Sequence, residues 1–210
     1  MERSVRQCVY NAIENMLKGL SVLLLKLSGW TVAPDIPKEA QRCVMIAAPH
    51  TSNWDLWYAR LAFFVMDIPL KFTIKREWMR FPLNLLVGPM GGIGIDRRSP
   101  KEGRKDNSSY IQLMANLFKE RDRLSLLVTP EATRSLRTEW KMGFYYVAKK
   151  ADVPICLGYL DYKNKVAGVG GPVFISGDID ADLRKIMAFY QPIQGKYPEK
   201  FSIDTRYRPE

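Results

Sequence analysis

Histidine is almost absent from this chain: His50 stands alone in 210 residues. Cysteine is scarce too, with Cys8, Cys43 and Cys156 scattered and odd in number. That argues against a disulfide framework and for reduced cytosolic thiols. One histidine and three dispersed cysteines also give no zinc-like spacing, so no metal is expected. The sequence lacks a Gly-x-Ser-x-Gly turn, which removes the usual serine nucleophile elbow, and Cys43 lies inside an apolar run. Ser52 is near His50 in sequence, but a chain-local pair is weak evidence for a nucleophile. No repeat or low-complexity segment is present. Uncharged apolar runs are short. Leu20 to Leu25 is bracketed by Lys18 and Lys26, well under the ~20 residues of a membrane span. A signal peptide is not expected, because the apolar part comes late and no small-residue cleavage site follows cleanly.

What the chain does have is positive charge: 32 Lys and Arg against 22 acids, a net +10. A basic surface suggests an anionic partner such as phospholipid headgroups, a phosphorylated substrate, an acidic carrier protein or nucleic acid. Length fits one α/β domain with a proper core.

Residues 4 to 28 read as an amphipathic helix, with Val5, Cys8, Val9, Ala12, Ile13, Met16, Leu17, Leu20, Leu23, Leu24 and Leu27 on one stripe. Either that stripe packs on the core, or the helix lies in a bilayer interface with Trp30 near its end. The expected division is an N-terminal helix over 1–30 and a single domain over 31–210. After the Pro34–Pro37 linker, Cys43 to Ala48 predicts a buried strand, and 53 to 66 a helix capped by Ser52 or Asn53. Leu70 to Lys75 predicts another strand, leading into the basic, aromatic cluster Lys75 to Arg80. Gly88 to Ile95 holds a tight turn before a short strand. The charged stretch after it, beginning Asp96-Arg97-Arg98, runs to Asp106. Further on, 108 to 120 reads as a helix, Arg123 to Thr129 as a buried strand, Met142 to Ala151 as a helix and Pro154 to Tyr159 as a central strand. Val166–Val169 and Val173–Ser176 suggest a hairpin around Gly170-Gly171-Pro172, and Asp178 or Asp180 caps a last helix over 181–190. The tail from Gln191 matches no element. Strands alternating with helices predict an α/β fold: a central mixed, largely parallel sheet covered by helices.

In such sheets chemistry gathers at the strand ends. His50, Asp96-Arg97 and Glu131–Arg134 each follow an apolar strand, so parallel neighbouring strands would bring them to one edge. His50 with Asp55 five positions on suits a general base and its orienting carboxylate. The cations Arg97, Arg134 and Lys75 suit a phosphate, which the arginine fork binds through two parallel hydrogen bonds. With no evident nucleophile in the protein, direct attack by a substrate hydroxyl on an activated acyl group is the expected chemistry.

At this point the chain resembles the glycerolipid acyltransferases typified by bacterial lysophosphatidate acyltransferase. Four blocks carry the resemblance in order across residues 43 to 160: His50-Thr51-Ser52-Asn53-Trp54-Asp55; Gly91 with Ile95-Asp96-Arg97; Pro130-Glu131-Ala132-Thr133-Arg134; and Val153-Pro154-Ile155. Lys75-Arg76-Glu77 and Lys141-x-Gly143 are similar to further family features. The resemblance implies transfer of a fatty acyl group from an acyl thioester, acyl-CoA or acyl carrier protein, to a hydroxyl of a glycerol-phosphate-type lyso-lipid, with His50 as base and Asp55 as its partner. It implies that Arg97, Glu131, Thr133 and Arg134, assisted by Lys75, shape the acceptor site, with Glu131 either a substrate contact or a structural carboxylate pairing with an arginine. No cofactor beyond the acyl donor is expected, and the protein is placed peripherally on the cytoplasmic face of an anionic membrane.

Three departures stand out. Pro49 replaces the family's usual Asn. Gly94 replaces a bulky residue, which would enlarge or loosen a pocket. Ala132 replaces a glycine, which would weaken acceptor binding if that position needs a positive φ. These leave another lipid hydroxyl open as acceptor. A non-catalytic lipid-binding relative is the alternative of another class, against which stand His50 and Asp55. A nucleic-acid module rests only on charge and the Lys75 to Arg80 cluster, lacks a recognisable binding motif, and is not expected.

Overall fold

The computed structural model describes residues 2–81, 83–88, 90–95 and 107–209. Arg97, with the Asp96–Asp106 stretch, lies outside them. The sheet has seven strands: β1 (Thr31–Val32), β2 (Arg42–Ala47), β3 (Leu70–Lys75), β4 (Gly92–Ile95), β5 (Leu124–Val128), β6 (Ile155–Asp161) and β7 (Val166–Val173). They lie in the order β1-β7-β6-β2-β5-β3-β4. Every pairing is parallel except β6 with β7.

The helices are α1 (Glu2–Leu27), α2 (Trp54–Val65), α3 (Asn84–Val87), α4 (Asn107–Lys119), α5 (Gly143–Ala151) and α6 (Ile179–Tyr190). Strand alternation divides the core into two layers. On β2, Val44 and Ile46 face one side, where Met114 and Phe118 of α4, Phe144 and Val147 of α5, and Leu183 and Ile186 of α6 cover them. Cys43 and Met45 face the other side, against Leu61, Ala62 and Phe63 of α2 and Leu25 of α1.

Helix ends follow local chemistry. Asp178 caps α6 by accepting the Ala181 N–H at 3.0 Å, and Asp180 and Asp182 complement the positive end of that helix. α5 stops at Asp152, held left-handed at φ 52°, with Lys149 and Lys150 in its last turn.

One expectation changes here, and one open question narrows. Gly170-Gly171-Pro172 does not turn a hairpin: β7 runs straight through it and pairs antiparallel with β6, with a register shift opposite Ile155–Leu157. The hairpin turn lies earlier, at Tyr162–Lys165, where Asp161 accepts from Lys163 N–H and Asn164 Nδ2. Of the α1 stripe, whose covering the sequence left open, Leu24 packs partly against the core while most of the members with described side chains turn away from it. Ser21 and Leu25 point inward, whereas Met16, Leu20, Leu23 and Leu27 are exposed, Leu27 by 75%. Among the described residues, no helix is long and apolar enough to cross a membrane.

The tail that matched no element is ordered against the domain. Asp204 is buried and accepts from Trp140 N–H at 2.9 Å and Arg206 Nη2 at 2.7 Å. The segment at Gln194–Tyr197 passes beside the end of β2, where a Cβ on Gly195 would stand 2.9 Å from Pro49 Cβ.

Candidate active site

The strands β2, β5, β3 and β4 are parallel, so their carboxyl ends share one edge. β2 and β5 are direct neighbours, which sets the residues after Ala47 beside those after Val128. His50 and Glu131 follow these two strands. Lys75 ends β3 next to β5 and is exposed.

Asp55 lies in the first turn of α2, where the helix dipole favours a carboxylate. Its Oδ2 accepts the backbone N–H groups of Thr51 and Ser52, both at 2.8 Å, and lies 3.3 Å from His50 Nδ1. Its Oδ1 accepts the hydroxyl of Tyr162 at 2.8 Å. The carboxylate is buried, while the His50 side chain remains 24% exposed. A ring with Nδ1 on a fixed carboxylate has Nε2 available to take a proton. Ser52 Oγ is occupied in accepting the Trp54 N–H at 3.2 Å, whereas Asn53, which holds the N-cap position, makes no side-chain capping bond.

Glu131 is buried to 2% exposure. Its Oε1 accepts the backbone N–H of His50 at 2.9 Å. Among the described residues the partner of this carboxyl is a peptide N–H, and no arginine pairs with it. Oε2 is buried without a hydrogen-bond partner among the described residues. Burial pushes the carboxyl up to about 8, the His50 N–H pulls it partly back, and the Asp55 charge adds to the rise.

The loop beyond Glu131 is held by Ala132 N–H on Thr129 O at 3.1 Å and Lys141 N–H on Pro130 O at 2.9 Å. Ala132 sits at φ 55°, so the position does need the left-handed backbone that glycine adopts freely. Thr133 Oγ1 accepts the Ser135 N–H at 3.2 Å. Arg134 is exposed and makes no ion pair among the described residues. Gly94 opens no room: a Cβ there would meet Met79 Cγ at 2.7 Å, so a methionine fills the space a bulky residue would take. Gly91, by contrast, is required, since its φ is 97° and a Cβ would stand 2.4 Å from Leu70 O. Among the described residues no group of three His, Cys, Asp or Glu side chains is placed to hold a metal ion.

A family model described as Acyltransferase matches residues 31–156, more than half of the chain and including the His50, Asp55 and Glu131 positions. The chain belongs to the acyltransferase family. The sheet and its helices are similar to the crystal structure of the 1-acyl-sn-glycerophosphate (LPA) acyltransferase PlsC from Thermotoga maritima. The TM-score is 0.53 at 17% identity, over 86% of this chain and 77% of that one. No curated protein sequence matches. The acyltransferase match ends before two features that sequence reasoning missed: Tyr162, and the tail segment whose Tyr197 N–H donates to Thr51 Oγ1 at 3.2 Å. The signal for Tyr162 was the Asp161-x-x-Asn164 turn, but its place beside Asp55 depends on β6 lying next to β2.

Proposed function

We propose that this acyltransferase moves a fatty acyl group from an acyl thioester, acyl-CoA or acyl carrier protein, to a hydroxyl of a glycerol-phosphate-type lyso-lipid in phospholipid synthesis. The observation that carries the reading is the His50–Asp55 pair, with Nδ1 3.3 Å from a carboxylate oxygen already held by two backbone N–H groups. His50 Nε2 takes the proton of the acceptor hydroxyl as its oxygen attacks the thioester carbonyl. The tetrahedral intermediate collapses with cleavage of the C–S bond, and the imidazolium returns the proton to the departing thiolate. The products are an ester and a free thiol. Asp55 stabilises the imidazolium throughout.

The acceptor phosphate binds to Arg134, Arg97 and Lys75, with Thr133 completing the loop. A Glu131 carboxyl pushed up to about 8 is largely neutral near pH 7, so it does not repel that phosphate. The membrane supplies both the acceptor and a docking surface. The exposed Leu20, Leu23 and Leu27 of α1 sink into the interface, and the net charge of +10 draws the protein to anionic lipid on the cytoplasmic face.

The test is transfer from labelled acyl-CoA and acyl carrier protein across a panel of lyso-lipids with and without phosphate. Ester formation restricted to phosphate-bearing acceptors is expected. Transfer to phosphate-free hydroxyls at equal kcat/KM overturns the assignment of the acceptor.

A further inference from the structure

We propose that Tyr162 is a positioning residue for acyl transfer, its hydroxyl fixing the second oxygen of Asp55 so that the first stays on the His50 imidazole. The inference rests on the reading of His50 and Asp55 as the reactive pair. An aspartate carboxylate turns easily about its last bond, because that torsion is broad and two-fold. The backbone N–H groups of Thr51 and Ser52 and the imidazole all meet Oδ2. The Tyr162 hydroxyl meets Oδ1 at 2.8 Å and so sets the plane of the group.

The phenol is itself anchored from three sides. Its ring stands edge-on to Trp30 at 4.9 Å and to Tyr58 of α2 at 6.2 Å, and those two stack on each other at 4.7 Å. Its backbone N–H donates to Gln194 O of the tail at 2.9 Å. The turn carrying it is closed by the Asp161 carboxylate. Burial, and then the bond to Asp55, push the hydroxyl well above its ordinary range, so it remains a donor. Tyr58 and Tyr197 are its other titratable neighbours, while His50 and Glu131 face Asp55 from the ends of β2 and β5.

Two consequences follow from losing this donor. The carboxylate turns more freely, which slows proton transfer. It also places more of its charge on the imidazole, which favours the imidazolium and moves the acid limb of the rate profile upward.

The test uses the full chain as Tyr162→Phe, as Asp55→Asn, as the double variant, and with 3-fluorotyrosine incorporated at position 162. Acyl transfer is followed against pH, and the imidazole of the sole histidine is titrated by NMR without substrate. In Tyr162→Phe, kcat falls about tenfold, as for a hydrogen bond to a charged group. The KM of both substrates stays within about twofold, and the acid limb and the imidazole titration both move to higher pH. 3-Fluorotyrosine, a stronger donor of the same shape, moves both to lower pH. In the Asp55→Asn background the Phe substitution has no further effect on kcat.

A folded Tyr162→Phe protein with parental rate and titration overturns the inference. So does an equal loss in the Asp55→Asn background, which would assign the phenol to packing. If Tyr162→Phe fails to fold, an unmoved titration with 3-fluorotyrosine overturns it instead. A parent that transfers no acyl group, while its imidazole still responds to position 162, overturns the reaction and leaves the coupling standing.

Discussion

Glu131 and His50 are joined by a hydrogen bond from the histidine's own backbone N–H to Oε1 at 2.9 Å. The loop after β5 thereby holds the residue that faces Asp55, and it does so through a buried carboxyl pushed up to about 8 by burial. The sign of the resulting pH dependence is fixed. Below the ordinary value of 4.5 the carboxyl is protonated in folded and unfolded chains alike. Between 4.5 and about 8 the folded chain keeps a proton that the unfolded chain releases, so stability falls as pH rises, by at most about 1.4 kcal/mol per pH unit. Above about 8 the loss is complete. Glu131→Gln retains an acceptor for the His50 N–H and cannot ionise. The stability difference between variant and parent should therefore grow in favour of Gln across this window, measured by urea unfolding at each pH. A difference independent of pH would contradict it.

Ala132 holds a left-handed backbone at φ 55° with a side chain that opposes it. Ala132→Gly should raise stability by about 1 kcal/mol, the left-handed penalty outweighing the added freedom of the unfolded chain. Ala132→Val should lower it further. Urea midpoints at constant m-value decide this.

Arg134→Ala should raise the KM of the acceptor far more than that of the donor, by about 1.5–3 kcal/mol in kcat/KM. Arg134→Lys should recover part of it, since an ammonium lacks the planar fork. Because Arg134 is exposed, neither change should alter the unfolding midpoint. An effect confined to the donor would reassign this residue.

Leu20, Leu23 and Leu27 stand on the outer side of α1, so replacing all three with serine should leave the circular dichroism and solubility unchanged. Binding to anionic vesicles should then weaken at every salt concentration, since apolar burial is not screened, each leucine contributing up to about 1.5–3 kcal/mol when fully sunk. Added salt should weaken binding of the parent and the variant in parallel. Co-sedimentation of the variant equal to that of the parent would leave charge as the sole attachment.

The legible part of this chain is local. The runs at Cys43–Ala48, Leu70–Lys75 and Arg123–Thr129 became β2, β3 and β5 within a residue or two, most plainly for β2 and β5, because buried parallel strands are continuous apolar segments. His50 and Asp55 were readable as a pair because they lie only five positions apart, in the loop after β2 and the first turn of α2. Contacts across the sheet were not readable. Tyr162 reaches Asp55 over 107 positions, and Tyr197 reaches Thr51 over 146. Both depend on strand order and on a tail with no periodic pattern. What covers the apolar face of α1 stayed open for a related reason: apolar spacing marks a face without saying what covers it. The Gly170-Gly171-Pro172 signal misled because β7 carries it as a strand interior beside a register shift, where glycine and proline are tolerated.

The central claim is that the single imidazole removes the acceptor's proton. The most direct measurement is acyl transfer by purified His50→Ala, checked by circular dichroism and assayed beside the parent with the donor and lyso-lipid that the parent uses. A folded protein is expected, with transfer reduced by at least about 10³-fold, within the usual range of about 10²–10⁴ for a positioned general base. A folded His50→Ala protein that turns over within about tenfold of the parent would contradict it.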